Sequence, residues 1–408
     1  MDLKYRLYII YTISFLDLFA IGLMFPLLYP HVRELGGSHI IVGLLGSSYS
    51  ALQVLTGPLI GSWSDIRGRR FVLLTTLLIC TVCYFLLGIT SSIYCIFALR
   101  MILGFIKHTQ TICKALIADL LPVDKQAAAY GQSSGYGMLG FVIGPVLGGH
   151  ISEMNNGFFY VCCLTSLLFV GNIVLSLFIP RTATKNDNVA NNISVITLLS
   201  TIHKEFLRAL RELVKINWKI YWDTFLMRFL FGISVSIVHT SQSVYLKEQY
   251  NLSQVYIGYT ISFLSIVGVI CGLSMGKITT MFYRDDHNRL RRIYHSFCIM
   301  AACCFGFYFA PDLYVYYAVL VPFSISSTIL RIVTMELMIS KSKNDEKGSL
   351  SGASTSVMSI ARFITPLSSG IVGDIFGENA VMLSAFVPPL CGSLLCLYSM
   401  KTSRVKSD

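Results

Sequence analysis

Charge is what this chain has least of. Asp, Glu, Lys and Arg make up 13% of its 408 residues, about half the quarter that soluble globular chains carry. Hydrophobic residues reach 54%, and the mean hydropathy is +0.66. This excludes a water-soluble globule, whose surface could not be covered with so little charge. The sequence also lacks any GxxxxGK[ST] stretch, so nothing marks a site for nucleotide hydrolysis. No serine or cysteine is visibly placed with a base and no paired carboxylates appear, so an intramembrane enzyme is not expected.

What is abundant is long apolar sequence. A helix needs roughly 20 mostly apolar residues to cross about 30 Å of hydrocarbon. Such stretches occur at 7–30, 39–60, 71–90, 93–116, 133–152, 158–179, 222–245, 255–280, 293–310, 313–338, 350–373 and 379–400. The expectation is an all-α membrane protein with twelve transmembrane helices. The first stretch begins with basic residues like a signal peptide. It is too long for one, carries Asp17 and is followed by no small-residue cleavage site, so it is read as the first span. The 12 cysteines fall almost wholly inside these stretches, where small packing residues are the expectation; no metal is expected, because a zinc site wants converging ligands in a polar shell.

A net charge of +11 would suggest nucleic acid in a soluble protein, but the basic residues sort by loop. One set of alternating loops holds most of them, from Lys4 and Arg6 to Lys406; the opposite loops hold only Arg33 and Lys247. The positive-inside rule then puts both termini in the cytoplasm. The expected surroundings are a lipid bilayer, in the plasma membrane or an endomembrane, and no nucleic acid. Of two glycosylation sequons, Asn192-Ile-Ser and Asn251-Leu-Ser, only the second falls in a non-cytoplasmic loop on this topology.

The longest polar interval sets the domain expectation: a six-helix half over 1–180, a linker over 181–219, a second six-helix half over 220–400 and a tail over 401–408. Within the linker Ile202, Phe206, Leu210, Leu213 and Val214 recur at helical spacing, with Lys204, Arg208, Arg211 and Lys215 elsewhere around the helix. That pattern predicts an interfacial helix on an anionic leaflet. The halves also repeat. A shift of 221 residues sets Gly131 on Gly352, Pro145 on Pro366, Gly149 on Gly370 and Asp65 on Asp286.

Three stretches carry more specific information. The loop Gly61-Ser-Trp-Ser-Asp65-Ile-Arg-Gly68-Arg69-Arg70 combines two glycines, for a sharp turn and close helix approach, with an aspartate able to meet the positive end of a helix. Gly140, Gly144, Pro145, Gly148 and Gly149 place small residues about every four along one stretch, with a proline that permits a bend. A first span containing Asp17, Gly22 and Pro26, and a fourth containing Arg100 and Gly104, complete the set. Together these resemble the major facilitator superfamily, whose loop signature is GxxxDxxGRR and whose fold is two pseudo-symmetric six-helix halves. The first span is similar to that of tetracycline-type drug and proton antiporters. GSSY at 46–49, LGFIKHT at 103–109 and ALIADLLP at 115–122 look like the animal branch called major facilitator superfamily domain-containing protein 9.

The resemblance implies that the loop is a cytoplasmic gate, with Gly61, Asp65, Gly68 and Arg69 as its parts and Asp119 as the acid that meets Arg69. A second-half counterpart around Asp286 keeps the basic cluster and lacks the glycines. The glycine-proline stretch from Gly140 to Gly149 either marks an antiporter or serves packing alone.

A charge at mid-bilayer is costly, so it normally faces a partner or a watery cavity. The deep candidates are Asp17, Arg100, Lys107, His108, His239, Arg331 and Arg362; Arg228 and Glu336 lie nearer the ends of their spans, where snorkelling or a loop salt bridge is an equal reading. Arg100 and Lys107 are two helical turns apart and so share a face, with Asp17 as their expected ion-pair partner. Asp17 is either a carboxylate that gains and loses a proton or a static strut. His108 and His239 are either proton carriers or simply hydrogen-bonded. The excess of deep cations points to an organic anion as cargo. The expectation is a monomeric secondary active transporter of a small organic solute, with protons as the second partner, no cofactor, and alternating access by rocking of two halves. A facilitative uniporter and a non-transporting receptor or scaffold stay open beside it.

Overall fold

The computed structural model describes residues 3–180, 218–284, 286, 288–341 and 347–405. The interfacial helix expected in the linker, and Asn192, lie outside them. Among the described residues there are fifteen helices and no strand. They are α1 (Leu3–Met24), α2 (Leu28–Glu34), α3 (His39–Arg67), α4 (Arg69–Ile89), α5 (Ile93–Ile106), α6 (Thr109–Leu120), α7 (Val123–Ser152) and α8 (Gly157–Leu177). After the linker come α9 (Trp218–Tyr250), α10 (Gln254–Phe282), α11 (Leu290–Phe309), α12 (Leu313–Lys341), α13 (Lys347–Phe376), α14 (Glu378–Ser384) and α15 (Val387–Val405). Three pairs, α1/α2, α5/α6 and α14/α15, are broken spans, which gives twelve in all.

Apolar residues encircle these helices, as a lipid-embedded bundle requires. On α4, Leu73, Leu77, Cys80, Tyr84 and Leu87 are buried, while Leu78, Val82, Phe85, Leu86 and Ile89 are exposed. Contacts divide the chain into two compact units. The first comprises 1–36, 48–211 and 253–262; the second comprises 37–47, 212–252 and 263–408.

In the first unit α1 packs along α7 and α8, and α8 packs along α4. The glycine-proline stretch is the reason α1 and α7 come so close. A Cβ added at Gly144 would lie 2.7 Å from the Gly22 Cα, and one at Gly140 or Gly148 would meet the backbone of Phe15 or Leu23. Gly149 turns the other way, against Gln254 and Val255 at the start of α10. In the second unit α9 packs on α13, and α11 packs on α12 and α15. Tyr245, Phe307, Tyr316 and Phe323 form an aromatic cluster. The Tyr245 and Tyr250 hydroxyls donate to the carbonyls of Phe307 and Ala310, both at 2.9 Å, satisfying the last turn of α11.

The sequence repeat has a physical counterpart in each unit. In the first, Gly258 lies on the Pro145 carbonyl and the Ser262 hydroxyl donates to the Val142 carbonyl at 2.6 Å. In the second, Gly43 lies on the Pro366 carbonyl and the Leu367 amide donates to the Ser47 hydroxyl at 2.9 Å. Both prolines sit inside 30-residue helices, where a proline withdraws one backbone donor and crowds a carbonyl. A small residue and a hydroxyl four residues further on, one turn along the same face, are what such a site admits and needs.

Candidate functional site

The fourth span is interrupted at Lys107 and His108. α5 stops at Ile106 and α6 starts at Thr109, with Lys107 at φ −76°, ψ 84° and His108 at φ −125°, ψ 28°. No proline lies there; buried polar partners hold the break open. The Lys107 ammonium donates to Asp17 Oδ1 at 2.7 Å, the two side chains being 3% and 0% exposed. Gln110, in the first turn of α6, donates its amide to Asp17 Oδ2 at 2.9 Å and to the Ser14 carbonyl at 3.2 Å. The Lys107 carbonyl, released from the helix, accepts from Gln53 Nε2 at 3.3 Å, and Gln53 also donates to the Tyr49 hydroxyl at 3.0 Å. His108 Nε2 and Thr56 Oγ1 share a hydrogen bond of 2.9 Å. A buried ion pair offsets its desolvation only when its remaining polar atoms are also satisfied, and Gln110 does that for Asp17.

Arg100 is not part of this pair. Its guanidinium carbon lies 4.0 Å from the centre of the Tyr49 ring, and its Nε is buried without a hydrogen-bond partner. The expected shared face assumed a continuous helix. The break displaces Lys107 from that register, so Asp17 takes the ammonium and Arg100 takes an aromatic face, for which a planar guanidinium is well suited.

In the second unit Arg331 on α12 and Arg362 on α13 are exposed, and both lie within electrostatic reach of half-buried His239 on α9. Neither arginine pairs with a carboxylate among the described residues. Arg228 is buried, donates to Thr334 Oγ1 at 3.2 Å and leaves its Nε without a hydrogen-bond partner.

At the loop between α3 and α4, Arg69 gathers three side-chain partners besides the Gly61 carbonyl. Its Nε donates to Asp119 Oδ2 at 3.0 Å, one terminal nitrogen donates to Ser64 Oγ at 2.6 Å, and the other pairs with Asp65. Gly68 turns the chain at φ 92°, a conformation that favours glycine. Gly61 does neither thing expected of it. It lies within α3, and an added Cβ would have no atom within 4 Å. The turn falls wholly on Gly68.

The second unit builds the same device with other residues. Arg292 Nε lies 3.3 Å from Asp286 Oδ2, its terminal nitrogen 3.8 Å from Glu336, and Arg289 lies 3.6 Å from the same glutamate. The amides of Arg291 and Arg292 donate to the Asp286 carboxylate at 3.2 and 2.9 Å, capping α11. The sequence reading saw Asp286 and offered a loop salt bridge for Glu336, but did not see that Arg292 pairs with both. It also missed Gln53, Thr56 and Gln110, since a neutral amide or hydroxyl in an apolar span carries no charge signal.

Helices apolar all round, broken where buried ions pair, and built as a repeated unit define a multi-pass membrane transporter. The sequence profile of the Major Facilitator Superfamily matches residues 7–366, and the chain belongs to that family. The class E tetracycline resistance protein of Escherichia coli is 30% identical over 195 residues, a match spanning 47% of this chain and 47% of that protein. The quinolone resistance protein NorA of Staphylococcus aureus strain MSSA476 is 21% identical over 396 residues, 96% of each chain. The crystal structure of the human organic anion transporter MFSD10 (TETRAN) superposes with a TM-score of 0.66 at 18% identity, covering 97% of this chain and 100% of that one. Proteins of this family carry small-molecule solutes across a membrane.

Proposed function

We propose that the protein moves a small organic anion by alternating access, coupled to protons, with both termini in the cytoplasm. The observation that carries the anion is the second unit's unpaired cations. Arg331 and Arg362 stand exposed, with only a histidine and no carboxylate as charged company among the described residues. Uncompensated charge within a membrane span is costly unless a watery path or a charged ligand relieves it, and an anionic solute would supply the missing sign. That MFSD10 is an organic anion transporter agrees with this reading.

Asp17 is the proposed proton carrier. Protonation would end its pairing with Lys107 and free the ammonium held by one of its oxygens. The gate role of Asp65, Arg69 and Asp119 is proposed on their clustering at the end of α3. The test is uptake into proteoliposomes of matched anionic, neutral and cationic organic solutes, with and without a pH gradient. Anion-selective flux is expected, lost in an R331A/R362A double variant and uncoupled from pH in D17N. Cation-selective flux that survives R331A/R362A would sink the anion reading, and anion flux indifferent to the pH gradient would replace coupling with uniport.

A further inference from the structure

The gate loop's pattern occurs a second time. Gly61, Asp65 and Gly68 have the spacing GxxxDxxG, and Gly370, Asp374 and Gly377 repeat it at the end of α13. The conformations agree as well: Gly68 has φ 92°, Gly377 has φ 83°, and each immediately precedes a new helix. Near the second copy lies His39, at the start of α3. α3 is 29 residues long, so at 1.5 Å per residue His39 is about 40 Å along the helix from the first copy.

The second copy holds the start of α3 by several bonds, all within the second unit. The Asp374 carboxylate accepts the His39 amide at 2.7 Å and the Ile40 amide at 3.1 Å, capping the positive end of the helix. His39 Nδ1 lies 2.6 Å from Glu378 Oε1 on α14, and Nε2 lies 3.9 Å from Glu248 Oε2 on α9. Gly370 and Gly373 of α13 leave room for the His39 backbone and side chain. A small open pocket borders His39 and Glu378, along with Thr240 and Ser369. The charged groups around the imidazole include Glu378 from α14, Glu248 from α9 and Asp374 from α13. Lys247 is the one basic residue in the last turn of α9.

We propose that His39 is a second proton-binding site, distinct from Asp17, and that the proton it takes tightens a clasp between the start of α3 and α9, α13 and α14. An imidazolium has two N–H donors: Nδ1 is within hydrogen-bond distance of Glu378, and Nε2 faces Glu248 at ion-pair distance. Neutral imidazole keeps one N–H, so whichever nitrogen loses its proton turns a lone pair toward a carboxylate. Proton loss therefore replaces attraction on one side by repulsion, while the Asp374 cap on the two amides remains. In the proposed topology this clasp faces the non-cytoplasmic compartment and responds to the pH there. It does not depend on the nature of the cargo.

Amide hydrogen exchange of the full-length protein in lipid nanodiscs tests it, with rates corrected for the intrinsic pH dependence of exchange. Amides 39–44 should exchange about tenfold faster at pH 8 than at pH 5, the loss of the imidazolium charge that faces both glutamates. H39Q should exchange fast at both pH values, whereas D374N should exchange faster than the native protein at both and keep the pH ratio. Amides 72–80 of α4 serve as the folding control, and E378Q replaces H39Q if that variant does not fold. Equal corrected rates at the two pH values in the native protein, or a ratio that persists in both H39Q and E378Q, would overturn the proposal.

Discussion

Asp17 and Lys107 permit a quantitative test because both are fully inside the protein, at 0% and 3% side-chain exposure. Removing one member of a buried pair leaves an ion with neither water nor counterion, at a cost of about 3–5 kcal/mol. D17N strands the Lys107 ammonium; K107M keeps an unbranched apolar side chain, removes the ammonium that lies 5.3 Å from the Phe169 ring centre, and strands the carboxylate. At roughly 2 °C per kcal/mol for a large domain, each single variant should melt about 6–10 °C below the native protein. The D17N/K107M double variant buries no ion at this position, and an uncharged replacement of a buried pair is often near neutral. It should recover more than half of the larger single loss. The assay is the melting temperature of detergent-purified protein, for all four members of the cycle side by side. Single variants that lose under about 1 kcal/mol, or a double whose loss is the sum of the two, would refute the reasoning, since strong coupling is the signature of a pair. Transport separates the two roles left open for Asp17. A stable but uncoupled double variant identifies a proton carrier, and a coupled one identifies a strut.

Three further outcomes follow from the structure. Gly144→Leu should cost several kcal/mol and deplete folded protein in fluorescence-detected gel filtration, because its first added carbon would lie 2.7 Å from the Gly22 Cα. Gly61→Ala, with open space around it, should be neutral, and Gly68→Ala, at φ 92°, should cost about 1 kcal/mol or more. Acid should weaken the cap on α3. Desolvation raises the Asp374 pKa, but the amide bonds from Ile40 and His39, the Ser38 hydroxyl and the nearby His39 outweigh it and hold the carboxyl below its ordinary value. A depressed pKa gives stability that is present above the unfolded-state value and is lost as pH falls through the folded one. The melting-temperature gap between native protein and D374N should therefore be full at neutral pH and shrink below about pH 4; a gap that stays constant would contradict the cap.

The fold was legible because lipid imposes a crude constraint. Runs of about 20 apolar residues and the sorting of Lys and Arg between loops need no tertiary detail, and the pairing of Pro145 with Pro366 was visible in the repeat. Resolution was lost at side chains whose partners lie far away in sequence. Arg100 and Lys107 were put on one face because a seven-residue interval implies it in an unbroken helix, and nothing in LGFIKHT announces the break. Asp374 passed unnoticed because its neighbours carry no basic cluster. Its partners are backbone amides more than 330 residues earlier, and a backbone amide has no letter in the sequence.

The interrupted fourth span also bears on how the chain enters the membrane. Among the described residues, nine of the twelve spans are a helix or broken pair long and apolar enough to cross a bilayer by itself; α5/α6, whose two helices have only 14 and 12 residues, α7 and α13 are not among them. Insertion by partition into lipid selects for segment hydrophobicity, so these three should dwell at the insertion machinery until earlier spans offer partners. For α6 that partner is the α1 carboxylate, made long before it. The Asp17 to Lys107 bond should therefore also act as an assembly step, its loss appearing during synthesis as fourth spans that fail to integrate.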